Sequence, residues 1–274
     1  MEWVVEDDLA AYGKRVLPWL QQDPVLNTVA STALVTRIDN TIVTRDPWLA
    51  WLADDAGEVA GLALRTPPYG LLVSVLPPEA VEPLVAIAPA GLPGASGRAD
   101  VVEAVAAAYA TRTGGRAEVD KSLRLYRLAE PATCAPVPGR LRVAGAADVD
   151  LCARWYTDFG ADAGVTVSPE ARADTERIVA QRRLLLWEDG GRPVAMVGHS
   201  PTVAGVTRIG PVWTPPEHRR HGYATAATAE VAGTLRASGE VVLYADNANP
   251  TSTGIYLRIG FRPVAQWTDW RLEY

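Results

Sequence analysis

Short hydrophobic runs, separated by turn residues and by longer segments with helical spacing, recur along the whole chain. Residues 191–212 predict two strands around a loop that contains Ser200 and Pro201. Residues 140–159 predict a strand, a turn and a helix, with Asp148 as the N-cap. After Pro215, apolar residues recur at helical spacing: Ala224, Ala227, Val231 and Leu235. Strands and helices therefore alternate, which predicts a mixed α/β (α+β) protein.

A proline-rich segment divides the chain. Residues 130–139, EPATCAPVPG, carry three prolines that interrupt both helix and strand. A predicted strand at residues 122–128 ends just before this segment. A length of 274 residues suits two domains of about 135 residues each. We therefore predict a domain over residues 1–130, a linker over 131–138 and a second domain over 139–274.

The two halves resemble each other weakly, which predicts a tandem duplication. Residues 57–75 and 191–212 each predict two strands around a turn. Residues 91–114 and 215–239 each predict a glycine-containing loop that opens an alanine-rich helix. Unrelated α/β segments share some of this order by chance, so coincidence remains an alternative at this point.

Composition and charge exclude several classes of protein. A net charge of −6 and a pI of about 5.2 argue against a general nucleic-acid-binding protein. No apolar run reaches the roughly 18–20 residues of a membrane helix, and the acidic N-terminus predicts no secretion signal. Two cysteines predict a cytoplasmic protein without a disulfide framework. The histidines and cysteines do not have metal-ligand spacing, so we expect no metal site.

The segment from Pro215 into the following helix has the properties of an anion-binding loop. Free backbone N–H groups and the positive end of the helix dipole favour phosphate at a helix N-terminus. Gly222 and Ala224 are small enough for phosphate oxygens to approach the backbone, and Arg219 and Arg220 add positive charge. A solvated arginine-rich turn is the alternative interpretation.

This loop resembles the acetyl-CoA pyrophosphate motif of the GNAT superfamily, Q/R-x-x-G-x-G/A, with Arg219, Gly222 and Ala224 at the matching positions. The residues before it resemble the family's cofactor-binding strand, in which main-chain groups pair with the pantetheine arm. The resemblance covers residues 139–274 and implies two mixed, mostly antiparallel sheets flanked by helices, one for each half. It implies a cofactor site formed by Val212, Trp213, Thr214, Arg219, Arg220, His221, Gly222, Tyr223, Ala224, Thr225 and Asn249.

A second stretch, residues 241–261, resembles the other GNAT signature. A buried parallel strand is predicted to end at Asp246, and Asn249 is predicted to cap a helix with Pro250 at its first position. Tyr256 follows Asn249 at the family's interval of seven residues. The resemblance implies that Tyr256 protonates the departing thiolate; a tyrosine that only packs in the helix is the alternative.

The N-terminal half also looks GNAT-like, but degraded. We place its equivalent loop at residues 91–98, where the arginine or glutamine is missing and Pro93 removes a backbone donor. This predicts a pseudo-domain without its own cofactor site; a second working site is the alternative.

The general base and the acceptor pocket have no sequence motif of their own. Arg208 occupies the position at which family members often carry a glutamate, so His199 becomes a candidate base and Arg208 a candidate ligand for an acidic acceptor. A water chain, or an amine of low pKa, would need no base. In similar proteins the acceptor pocket is lined by a region that here holds Trp155, Tyr156, Asp158, Phe159 and Asp162.

These features predict an N-acetyltransferase that transfers the acyl group of acetyl-CoA, or another acyl-CoA, to a primary amine of a small molecule or peptide. We expect a monomer or homodimer with no nucleic-acid or membrane partner. A non-catalytic acyl-CoA sensor or scaffold is one alternative. A carrier-protein thioester or an aminoacyl-tRNA as donor is another, and the acidic pI weakens the tRNA version.

Overall fold

The computed structural model describes residues 1–274. Each half of the chain contains the same sequence of strands and helices. The first half contains β1 (Glu2–Glu6), α1 (Leu9–Leu20), α2 (Thr28–Ile38), β2 (Trp48–Ala53), β3 (Val59–Arg65), β4 (Leu71–Val73), α3 (Val81–Ile87), β5 (Gly94–Arg98), α4 (Ala99–Thr113) and β6 (Arg116–Leu128). The second contains β7 (Arg140–Val143), α5 (Val149–Ala163), α6 (Ala171–Ala180), β8 (Leu184–Asp189), β9 (Arg192–His199), β10 (Val206–Trp213), α7 (Tyr223–Arg236), β11 (Glu240–Asp246), α8 (Pro250–Arg258) and β12 (Phe261–Glu273).

All the strands form one 12-stranded sheet in the order β1-β2-β3-β4-β5-β12-β6-β11-β10-β9-β8-β7. Neighbouring strands are antiparallel except β4 with β5 and β10 with β11. Helices cover both faces of the sheet. The predicted α+β class, with mixed and mostly antiparallel strand pairing, is therefore confirmed. The two sheets that were expected, one for each half, are joined into a single sheet.

The last strand of each half is exchanged with the other half. The 13-residue strand β6 lies between β12 and β11, and so separates two strands of the second half. The 13-residue strand β12 lies between β5 and β6, and so separates two strands of the first half. Backbone hydrogen bonds of the exchanged strands therefore join the halves across the middle of the sheet.

The second half has a core on each face of its part of the sheet. On one face α7 and α8 bury Ala227, Val231 and Tyr256 against apolar residues of β9, β10 and β11. On the other face α5 packs Cys152 and Trp155 against β8 and β9. Burial of both faces explains why β9 has an almost continuous apolar sequence.

The predicted equivalence of residues 91–98 with the phosphate loop is wrong. Gly94–Arg98 is the strand β5, and α4 after it occupies the place that α8 has in the second half. The glycines allow a close backbone approach, because a Cβ at Gly94 would lie 2.3 Å from the carbonyl oxygen of Trp270. The alanine-rich pattern of α4 fits either helix of the repeat, which explains the error.

The true counterpart of the phosphate loop follows β4. Pro77-Pro78-Glu79 corresponds to Pro215-Pro216-Glu217, since each triplet comes shortly after the fourth strand of its half. In the second half five residues, His218–Gly222, separate this triplet from α7; in the first half Ala80 alone precedes α3. The first half therefore has no counterpart of the loop His218–Gly222, so both the loop and its charged residues are missing.

The proline-rich segment, residues 131–138, has no helix or strand. It nevertheless packs against the second half: Val137 contacts the core cluster of α7, and the carbonyl oxygen of Pro138 accepts a hydrogen bond of 2.8 Å from Trp187 Nε1. None of the helices is both long enough and apolar enough to cross a bilayer.

Candidate active site

The strands β10 and β11 diverge in the middle of the second half. They pair in parallel only from Val206 to Ile209, opposite Glu240 to Leu243. The register of β10 against β9 shifts between Ile209 and Val212, at Gly210-Pro211. Beyond Ile209, the edge of β10 that faces β11 has no strand partner, so its main-chain groups are available to an extended ligand.

The N-terminus of α7 lies just after this divergence and has no side-chain cap. Gly222 occupies the N-cap position with φ +84°, and Arg220 also has a positive φ of 67°. Because Gly222 has no side chain, the N–H groups of the first turn, Tyr223 to Thr225, lack the partner that Asn249 provides in α8. This geometry suits an anion.

The buried Tyr223, the first residue of α7, holds the end of the loop that precedes this helix. The Tyr223 hydroxyl donates a 2.6 Å hydrogen bond to Asp189, and the His221 ring stacks on Tyr223 with a centroid distance of 5.5 Å. Arg220 and His221 are themselves exposed to solvent. Thr225 and Ala224 are half-buried in the first turn.

Arg219 is engaged with the protein. Its Nε donates to the carbonyl oxygen of Thr214 at 3.0 Å, and its Nη2 forms an ion pair with Asp162 at the end of α5. Asp162 also accepts a 3.1 Å hydrogen bond from Trp213 Nε1. The hydrogen bonds from Trp213 and Arg219 lower the pKa of Asp162. Arg219 therefore ties the loop to α5, and a phosphate would share it with Asp162.

The second predicted signature has the expected local geometry. The Asn249 side chain accepts a 3.0 Å hydrogen bond from the backbone N–H of Ser252, so Asn249 caps α8, with Pro250 at the first position. Tyr256 is 9% exposed and belongs to the same buried cluster as Tyr223 and Ile209. Burial raises the pKa of Tyr256 to about 12, so its hydroxyl remains protonated near neutral pH.

A cavity of about 380 Å³ lies between the two halves, on the α2, α5 and α6 side of the sheet. Its walls include Gly210 and Pro211, the residues at which β10 leaves β11. From the first half come Arg37 on α2 and Tyr69 in the β3–β4 loop; from the second come Tyr156, His199 and Arg208, among others. The divergence of the strands and the cavity thus share one wall.

His199 has the properties of a neutral base at this cavity. Its Nδ1 lies 2.9 Å from the carbonyl oxygen of Ser200, which can only accept, so Nδ1 carries the proton and Nε2 keeps a lone pair. Burial, together with the nearby charge of Arg183, lowers the pKa of His199. At neutral pH the imidazole can therefore take up a proton.

Of the residues of α5 that were predicted to line the acceptor pocket, the cavity includes Tyr156 alone. Trp155 packs on Trp213 in the core with a ring distance of 5.5 Å, and Asp162 holds the loop. Asp158 is exposed. The contributions of Arg37, Tyr69, Asp174 and Arg183 were missed, because a wall shared by two halves has no signature within either sequence segment.

The comparisons with known proteins agree with this geometry. Residues 150–261 match the model of the Acetyltransferase (GNAT) family. This part of the chain is therefore similar in sequence to GNAT domains. No curated protein sequence matches the chain.

Solved structures share the fold over the whole length. A GCN5-related N-acetyltransferase from Sphaerobacter thermophilus is 18% identical with a TM-score of 0.62, and the match covers 99% of this chain and 95% of that one. A GNAT-family acetyltransferase from Colwellia psychrerythraea is 11% identical with a TM-score of 0.60 and full coverage of both chains. A Drosophila protein is 15% identical with a TM-score of 0.64, covering 97% and 94%. The family match supports acyl transfer as the general class of reaction.

Proposed function

We propose that this chain transfers the acetyl group of acetyl-CoA to a primary amine by direct attack within a ternary complex. One observation carries the proposal: Gly210 and Pro211 lie both where β10 diverges from β11 and in the wall of the cavity. A thioester held along the open edge of β10 would therefore meet an acceptor that enters from the cavity. Proximity of this kind removes much of the entropic barrier to transfer.

The residues present suit the pyrophosphate of coenzyme A. Uncapped N–H groups at α7, a left-handed glycine and two neighbouring arginines form an anion-binding loop. A Cβ at position 222 would lie 3.1 Å from Val137 Cγ2, so the glycine also keeps the loop free of a close contact. We assign the phosphates to residues 219–225 and the pantetheine arm to the main chain of Val212 to Thr214.

Acetyl-CoA supplies the acyl group as a thioester when it is bound. Tyr256 would give its proton to the departing sulfur, since its high pKa keeps the hydroxyl protonated. A main-chain N–H of β10 near Val212 would polarise the carbonyl. His199, with its free Nε2, would first accept a proton from the ammonium group of the acceptor. The neutral amine would then attack the thioester carbonyl, and the C–S bond would break as the amide forms.

We also propose that the chain is a tandem of two GNAT-like domains, residues 1–130 and 139–274, joined by the segment 131–138. The repeated order of elements supports this, as does the equivalent place of the two proline pairs. The first domain, without a phosphate loop, would not bind acetyl-CoA. Its role would be to build one wall of the acceptor cavity and to exchange a strand with its neighbour.

The experiment is an assay of free thiol released from acetyl-CoA in the presence of a panel of primary amines. We expect thiol release that depends on both acetyl-CoA and amine, with the N-acetylated product identified by mass spectrometry. Binding of acetyl-CoA without transfer to any amine would instead favour the sensor. Transfer from a carrier-protein thioester alone would move the proposal to a different donor.

A further inference from the structure

Three arginines in the cavity wall lack a carboxylate at ion-pairing distance, although Asp174 lies near Arg37 and Asp39 lies near Arg183. Arg37, Arg183 and Arg208 all line it, and none of them forms an ion pair. Asp174 is the one carboxylate in the wall, and it already pairs with Arg177 at 2.9 Å. The cavity therefore carries an excess of positive charge in a chain whose net charge is −6.

The hydrogen-bond partners of these arginines are neutral. Arg208 Nη1 donates to the carbonyl oxygen of Thr28 at 3.1 Å and to Thr32 Oγ1 at 2.9 Å. Arg37 Nη1 donates to the carbonyl oxygen of Ala33 at 3.0 Å, while its Nε is buried without a partner. These contacts orient the guanidinium groups without neutralising them.

A buried cation without a counter-ion lowers stability, because desolvation of the charge is not offset. Burial accordingly lowers the pKa of Arg37 and of Arg208, although an arginine stays protonated. The presence of such groups beside a cavity points to a ligand that supplies the missing negative charge. Guanidinium groups match carboxylate and phosphate geometry well.

We propose that the acceptor amine carries an anionic group, a carboxylate or a phosphate, and that Arg208 and Arg37 bind this group in the cavity between the halves. This assignment rests on the proposed function, since it names the acceptor of that reaction. A volume of about 380 Å³ suits a molecule the size of an amino acid or a dipeptide. Arg183 donates hydrogen bonds to Gln181 Oε1 at 2.8 Å and to the His199 carbonyl oxygen at 3.2 Å, so its guanidinium group lies next to the candidate base.

The first test uses wild-type protein and calorimetric binding of probes that resemble products. N-acetylalanine is compared with the neutral N-acetylalaninamide, and N-acetylated phosphoethanolamine with N-acetylethanolamine. Because none of the probes has a free amine, differences in amine pKa do not enter. We expect the anionic member of at least one pair to bind about 10-fold or more tightly. Equal or tighter binding of both neutral probes overturns the proposal.

The second test uses variants of the intact chain. Arg208→Gln and Arg37→Gln should each weaken binding of the preferred anionic probe by about 10- to 100-fold and leave the neutral probe unchanged. Arg45→Gln is the control, because Arg45 is 83% exposed and pairs weakly with Glu170 at 3.5 Å outside the cavity. Thermal melts check that each variant is folded. If the Arg45→Gln control loses the preference for the anionic probe while the two cavity variants keep it, the assignment is contradicted.

Transfer assays separate this inference from the proposed function. Acetylation of neutral amines with no preference for anionic ones would leave the reaction standing and overturn the anionic acceptor. Anion binding that requires Arg208, without transfer to any amine, would support the anion site and overturn the reaction.

Discussion

At the scale of single residues, Gly222 is the position in the proposed cofactor site that would let a pyrophosphate reach the backbone. It combines a positive φ, a missing side chain and a place at the N-terminus of α7. A carboxylate there would add charge repulsion to a steric block. A local change of this kind separates cofactor binding from folding.

Gly222→Glu should therefore abolish acetyl-CoA binding in a titration while the protein keeps its fold by circular dichroism. Gly191→Glu is the matched control, because Gly191 has a similar φ of 77° and open space around its Cβ position, in the β8–β9 turn. Both variants carry the strain of a left-handed side chain, about 1–2 kcal/mol. Normal acetyl-CoA binding by Gly222→Glu would show that the loop is not the cofactor site.

Tyr256→Phe tests the catalytic assignment. Loss of a general acid should lower kcat by roughly 10²- to 10⁴-fold and leave acetyl-CoA affinity nearly unchanged. A thiol of pKa about 8.5 leaves readily as thiolate in base, so the defect should shrink above roughly pH 9. An active enzyme whose Tyr256→Phe variant keeps full kcat would make Tyr256 a packing residue only.

Asp162→Asn tests the attachment of the loop. Removing the charge that Arg219 pairs with should raise the KM for acetyl-CoA by a few-fold, because the loop loses its tie to α5. In wild type the pKa of Asp162 is lowered, so the pair is intact above the ordinary carboxyl pKa of about 3.9 and is lost as pH falls through the lowered value. An unchanged KM at pH 7 would show that the pair does not position the loop.

At the scale of elements, the sequence predicted well where the chemistry is local. The cap of Asn249 on α8 and the helix after Gly222 each depend on a few neighbouring residues, and the structure has both. The identity of the N-terminal loop was wrong because Gly94 and Gly97 serve a strand and not a turn. Backbone approach between distant strands leaves no mark in the local pattern.

The exchange of β6 and β12 was beyond prediction for a related reason. Both strands end their half with a similar alternation of apolar and charged residues, so either could fill either position in the sheet. Pairing between strands that are distant in sequence determines the position of each strand in the sheet. The cavity also depends on distant residues, since Arg37 and Arg208 line it together and are 171 positions apart in the sequence.

The exchange predicts that the halves hold together without a covalent link. A protease site inserted after the exposed Cys134 should allow the folded protein to be cut, and the two pieces should co-elute on gel filtration. Each piece keeps a strand hydrogen-bonded within the other half. Separation of the pieces in native buffer would contradict the exchanged arrangement.

At the scale of the whole molecule, the two halves contribute different parts of the candidate active site. The second half has the open strand edge, the proposed phosphate loop and Tyr256, while the first supplies α2 and Tyr69 to the cavity. Arg208 is held by Thr28 and Thr32 of α2, so the first half also orients a residue of the second. In the proposed reaction, the first half would therefore contribute to acceptor binding although it has no counterpart of the loop His218–Gly222.

The most direct test of the account is a calorimetric titration of acetyl-CoA into the intact chain. The account predicts saturable binding with one site per chain. The loop His218–Gly222 occurs only in the second half, and the single residue Ala80 occupies the equivalent position in the first half. Two sites per chain, or no binding at all, would contradict it.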